Sequence, residues 1–122
     1  DVAKAPLGAR TMFRILEEHH TLALAATSNT AIQIPAGASV FGVTVRVSTA
    51  ITGATSYSCG TAAETGKYGA GLAIALNSSN IGVTTPAAFS AVTAIRFTSA
   101  GGNFTGGAIR VAIHYMTLAA AT

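Results

Sequence analysis

The sequence predicts an all-β protein: an antiparallel β-sandwich of jelly-roll type, assembled as a homo-oligomer. Apolar residues recur at every second position along short runs, the period of a half-buried strand. Clusters of Gly, Ser, Thr and Asn separate the runs and supply the backbone freedom and local hydrogen bonds of turns. Half of the 122 residues are apolar and only 9% are charged, against roughly 25% in an average soluble domain. A surface with so few charges is expected to hide apolar residues against copies of the same chain.

Taken in order, "TMFRILEE" sets Phe13 and Ile15 on one face and Met12, Arg14, Leu16 and Glu18 on the other, although its composition also tolerates a helix. "HTLALAA" continues with Leu22 and Leu24 in phase. "IQIPAG" is a short strand stopped by Pro35, which cannot donate to a ladder, and followed by a turn at Gly37. "SVFGVTVRVST" is the clearest strand, with Val43, Val45 and Val47 facing one way and Thr44, Arg46 and Ser48 the other. In "ITGATSYSCG" a turn at Gly53 precedes Tyr57 and Cys59 in alternation, and "GLAIALN" aligns Leu72, Ile74 and Leu76. "TAIRFTS" alternates Ile95 and Phe97 against Arg96 and Thr98. "AIRVAIHYMTL" points Ile109, Val111, Ile113 and Tyr115 inward and Arg110, Ala112 and His114 outward. Between these last two runs, glycine pairs flank Asn103, Phe104 and Thr105. Glycine accepts the positive φ that hairpin loops demand, so a hairpin explains the glycines. Phe104 then either folds back onto the core or is presented outside. The runs together make one sandwich domain over residues 1–122, and an opening at Asp1 is compatible with a piece of something longer.

Composition excludes several function classes. The net charge of +3 comes from only seven Lys and Arg, scattered from Lys4 to Arg110, which is no footprint for nucleic acid. No run nears the ~20 apolar residues of a membrane-spanning helix, so no membrane insertion is expected. The single cysteine, Cys59, rules out an internal disulfide.

Enzymatic signatures are sparse. Acid–base hydrolysis needs two carboxylates facing one substrate, and neighbours Glu17 and Glu18 point to opposite faces of a strand. Glu64 would have to join one of them, and a Glu64→Gln variant would then lose all activity. His19, His20, His114 and Cys59 lack the spacings of a metal site. A Cys59–His114 nucleophile pair has no third orienting group, and "KYGAG" lacks the ending of a phosphate loop. No catalytic residue, metal or cofactor is assigned. Arg46, Arg96 and Arg110, however, each occupy the non-core side of a separate strand. If those strands are neighbours, they form either solvated cross-strand charge, with Glu17 or Glu18 as partners, or an arginine-lined patch for an acidic sugar or phosphate.

Three stretches, "IPAGASVFGVTVRVSTAITGATSYSCG", "KYGAGLAIALNSSNIGV" and "SAGGNFTGGAIRVAIHY", occur in this order between Leu16 and Leu118. Together they resemble the C-terminal domain of a family of alphaproteobacterial phage and gene-transfer-agent proteins that includes head-spike and fibre-like members. The resemblance implies a β-sandwich tip of a longer spike or fibre, commonly trimeric. Such a tip sits on a virion-like particle, acts extracellularly and adheres to host capsular or other surface polysaccharide. It brings no catalytic motif.

The expected function is therefore a non-enzymatic adhesion module that binds cell-surface polysaccharide through loop-borne sites. Sugar faces stack on aromatic rings, for which Tyr57, Tyr68, Phe89 and Phe104 are candidates. Sugar hydroxyls need short polar partners, for which Asn77, Asn80 and Asn103 are candidates. The chain has no tryptophan, so weak sites made useful by avidity fit best. The alternative is a purely structural domain that trimerises or caps a spike, packing against other particle proteins and burying Phe89 and Phe104 at subunit contacts.

Overall fold

The computed structural model describes residues 3–84 and 88–120. Among the described residues nine strands form: β1 (Ala3–Lys4), β2 (Arg10–Thr21), β3 (Thr27–Ile34), β4 (Ser39–Thr52), β5 (Ser56–Gly60), β6 (Gly69–Leu72), β7 (Ser79–Val83), β8 (Thr93–Ala100) and β9 (Gly106–Ala119). They make two antiparallel sheets, ordered β1-β2-β9-β4-β7 and β3-β8-β5-β6. From β2 onward every connection except β5–β6 passes from one sheet to the other. That strand order is a jelly roll, as the alternation and turn spacing predict. "TMFRILEEHH" lies in β2, and no helix forms among the described residues, so none is long and apolar enough to cross a membrane.

The two long central strands of the first sheet define its inner face. Val43, Val45 and Val47 of β4 lie opposite Ile113, Val111 and Ile109 of β9, and all six are buried. The second sheet answers with Tyr57 and Cys59 of β5 and Ile95 and Phe97 of β8, also buried. Tyr57 meets Phe97 edge-on at 6.0 Å between ring centroids, the favoured geometry for two rings with opposed face and edge charge. Phe13 and Ile15, in phase as predicted, turn outward, and β2 sends Leu16, Glu18 and His20 towards the core.

The chain departs from strict periodicity where it changes sheets. β2 ends at Thr21, and a turn closed by the Ala25 N–H on the Ala23 carbonyl leaves Leu24 exposed although Leu22 is buried. "GLAIALN" is strand only to Leu72, because the following residues carry the chain across to β7. Ile74 stays packed on the core and Leu76 is exposed. Asn77 completes that crossing with φ 68, a conformation its short polar side chain tolerates.

"GGNFTGG" is not a hairpin, since β8 and β9 lie in different sheets. Its glycines serve a sheet-to-sheet crossing: Gly101 adopts φ 77, and a side chain on Gly102 would strike the Gly53 carbonyl. The N–H of Phe104 donates to the Ala25 carbonyl at 3.0 Å and that of Thr105 to the Thr52 carbonyl at 2.9 Å. Phe104 is 1% exposed and belongs to the core. Phe104→Ala should therefore destabilise the domain by about 3–5 kcal/mol, measured as a lower urea midpoint with an unchanged slope.

Burial also pushes the Cys59 thiol up to about 12, and pushes Tyr57 and Tyr68 up to about 12, with Cys59 adding to both and Glu64 to Tyr68. Their ordinary values are 9.0 for the thiol and 10.0 for the phenols. The unfolded chain thus releases these protons at lower pH than the native one. Stability is full below the unfolded values and is lost as pH climbs from about 9 towards 12. The melting temperature should fall steadily over that window, and Cys59→Ala should fall less steeply from its own starting value.

Candidate functional site

The outer face of the first sheet carries the densest set of chemically active side chains. Register arranges them in rows across β2, β9, β4 and β7. One row reads Ile15, His114, Gly42 and Val83; the next reads Glu17, Ala112, Thr44 and Ile81; the next reads His19, Arg110, Arg46 and Ser79. Small residues in the middle of the second row leave a floor of Thr44 and Ala112. Around it opens a depression of about 570 Å³ lined by Glu17, His19, Arg46 and Arg110. A smaller apolar hollow of about 190 Å³ adjoins it along Phe41, Gly42, Ile81, Val83 and His114.

Alternation explains who faces this site. Arg46 and Arg110 point out because their neighbours Val45, Val47, Ile109 and Val111 point in. They stand directly opposite one another on adjacent strands. Arg46 reaches the Asn77 carbonyl at 3.4 Å, and among the described residues neither guanidinium forms an ion pair. His19 bonds Ser48 Oγ at 2.7 Å, and His114 bonds Thr44 Oγ1 at 3.0 Å. Arg96 does not join them: it lies on β8 in the other sheet, donating to Asn29 Oδ1 at 2.9 Å.

A second polar group lies between the sheets, where β2 faces β3. The ladder from β3 to β8 slips between Asn29 and Gln33, which frees the N–H groups of Ala31 and Ile32. Glu18 Oε1 accepts both, at 2.9 and 3.0 Å, and its Oε2 takes His20 Nδ1 at 3.0 Å. His20 Nε2 meets Ser28 Oγ at 2.6 Å, and the ring stacks on Phe97 at 5.7 Å. With Nδ1–H given to the carboxylate, Nε2 accepts the serine proton. Carboxylate, imidazole and hydroxyl thus stand in the order of an acyl-transfer triad. Ser28, however, is 4% exposed and its oxygen already accepts the Ala23 N–H at 3.0 Å, so it faces backbone instead of a substrate. The trio is a clasp between the sheets.

The chain is similar in fold to a chain of the cyanophage Pam1 capsid asymmetric unit. The two share 21% identity and a TM-score of 0.54, over 89% of this chain and 84% of that one. No protein-family model and no curated protein matches the sequence.

The residues expected to bind sugar form no single open site: Asn80 meets Tyr68, but three of the four rings are buried. Tyr57, Tyr68 and Phe104 are core residues whose rings present no face to solvent: Tyr57 points inward from β5, and the β5–β6 and β8–β9 connections fold Tyr68 and Phe104 back onto the core. Phe89 is half-buried, with Lys67 Nζ 6.0 Å from its ring centroid. Asn80 is half-buried and donates to the Tyr68 carbonyl at 2.9 Å, while Asn77 and Asn103 are exposed. Glu64 pairs with Lys67 at 3.4 Å in the β5–β6 connection, and Glu18 turns its carboxylate to the β3 backbone while Glu17 points outward, so no two of these carboxylates face one substrate. Cys59 in the core and His114 on the outer face of the other sheet cannot meet. Asp1 lies outside the described residues.

Nothing in the linear pattern marks the clasp, because Glu18 acts on a bulge thirteen residues away. Glu18→Ala would strand the two bulge N–H groups and should cost about 2–3 kcal/mol, read by thermal or urea unfolding. Glu17→Ala on the outer face should change stability by less than about 0.5 kcal/mol.

Proposed function

We propose that the chain is a non-enzymatic structural module of a virion-like particle, assembling with further copies of itself and with other particle proteins. The observation that carries this reading is the jelly-roll fold, similar over most of the chain to a chain of the cyanophage capsid asymmetric unit. The character of the outer face supports it. Phe13, Ile15, Ile81, Val83 and Leu118 are all exposed on one sheet, in a chain with few charges to keep such a surface monomeric. A second copy of the chain covering that face, in a trimer at the tip of a longer spike or fibre, agrees with the family resemblance drawn from the sequence.

Adhesion to envelope polysaccharide is the second reading. One observation favours it: Arg46 and Arg110 stand side by side over an open depression without an anionic partner among the described residues.

Two measurements test the structural reading. The purified domain should sediment as a homo-oligomer, and Ile81→Glu combined with Ile15→Glu should release folded monomers. An antibody to the domain should decorate phage-like particles from the producing cell in electron micrographs. A monomeric domain together with unlabelled particles would sink the proposal.

A further inference from the structure

We infer that Arg46 and Arg110 bind the carboxylate of an acidic saccharide unit, with Glu17 and Thr44 receiving its hydroxyls. The inference rests on the adhesion reading, in which this face stays open instead of lying under a second copy, and gives it a site and a ligand class. It starts from a cost. Like charges directly opposite on neighbouring strands destabilise a sheet, and β4 and β9 are interior strands that hold these two side chains in register. The chain has only seven Lys and Arg, and two of them are placed here with no carboxylate bound to either among the described residues. A planar guanidinium pair is matched by a planar carboxylate, which can accept two parallel N–H bonds from each fork.

The surroundings narrow the ligand. A depression of about 570 Å³ is far larger than a single inorganic anion fills and falls within the range of small-molecule sites. Glu17 lines the same depression. An ionised carboxylate only accepts hydrogen bonds, so it suits sugar hydroxyls and repels a second negative charge. That disfavours phosphodiester chains and polyphosphates and favours one charge per unit flanked by neutral hydroxyls. Thr44 adds a hydroxyl on the floor, beside the flat methyl surface of Ala112, and Ile81 borders the same row with an apolar side chain for the sugar's C–H face. The site opens outward from the sheet, so a polymer can cross it without ending there.

The test is calorimetric titration of the folded domain with an oligogalacturonate and with its neutral methyl ester. The acid should bind, the ester should bind at least about tenfold more weakly, and Arg46→Gln or Arg110→Gln should each cost the acid about tenfold. Arg110→Lys should recover only part of that loss, and Glu17→Gln should admit inorganic tripolyphosphate that the natural chain rejects. Acid and ester binding alike, or acid binding untouched by the arginine variants, would overturn this site while leaving adhesion standing. Binding of neither by the folded domain would overturn the site and the adhesion reading together. Dissociation of the oligomer by Arg46→Gln or Arg110→Gln would assign the arginines to a subunit contact and overturn the proposal.

Discussion

The pairing of β4 with β9 is the constraint on which the remainder of the molecule depends. Each strand is 14 residues long, and both lie in the interior of their sheet. Their register places Val45 against Val111 and, one step on, Arg46 against Arg110. The first pair belongs to the core and the second to the outer face. Because side chains alternate with a period of two, a slip of either strand by one residue would bury its arginine and expose its apolar set. One set of backbone hydrogen bonds therefore determines the packing between sheets and the chemistry of the exposed face. Neither can change without the other.

A sandwich with a filled core still has open sides where its sheets end, and here each side is tied by polar contacts. On one side Glu18 reaches across from β2 to the bulged backbone of β3, with His20 and Ser28 completing the link. On the other, Asn80 of β7 donates to the Tyr68 carbonyl in the loop between β5 and β6. That approach requires a glycine: a Cβ on Gly82 would collide with the same carbonyl. Such contacts contribute less than the core to net stability, but an unmade one leaves a partly buried donor short of a partner. They hold the sheets in one relative position, as a fixed outer face demands.

Much of the fold was legible in the sequence, and the reasons are local. Alternation in "SVFGVTVRVST" and "AIRVAIHYMTL" reports which residues share a face, and the structure keeps those faces. The opposite orientation of Glu17 and Glu18, and of His19 and His20, follows from the same geometry. Strand order is not local, so the separation of Arg96 from the other two arginines was hidden. So was the part played by Glu18, since a bulge leaves no period to read. The aromatic residues show the same limit. Tyr68 and Phe104 sit among Gly, Asn and Thr, in segments that look like exposed loops, yet in a jelly roll those segments cap the sandwich and their rings complete its core. Loop character told where the chain turns, but not which way its side chains point.

Cys59, the chain's one thiol, lies sealed between the sheets and stays protonated at neutral pH. Any lasting attachment among copies of this domain must therefore be made without covalent sulfur bridges, and oxidants in the surrounding medium find no thiol to act on while the fold is closed. The same seclusion turns the residue into a clock. A thiol-specific reagent can reach it only during the moments when the sheets part, so the rate of labelling counts those openings directly. The domain carries, in a single sulfur atom, the means to time how often it comes undone.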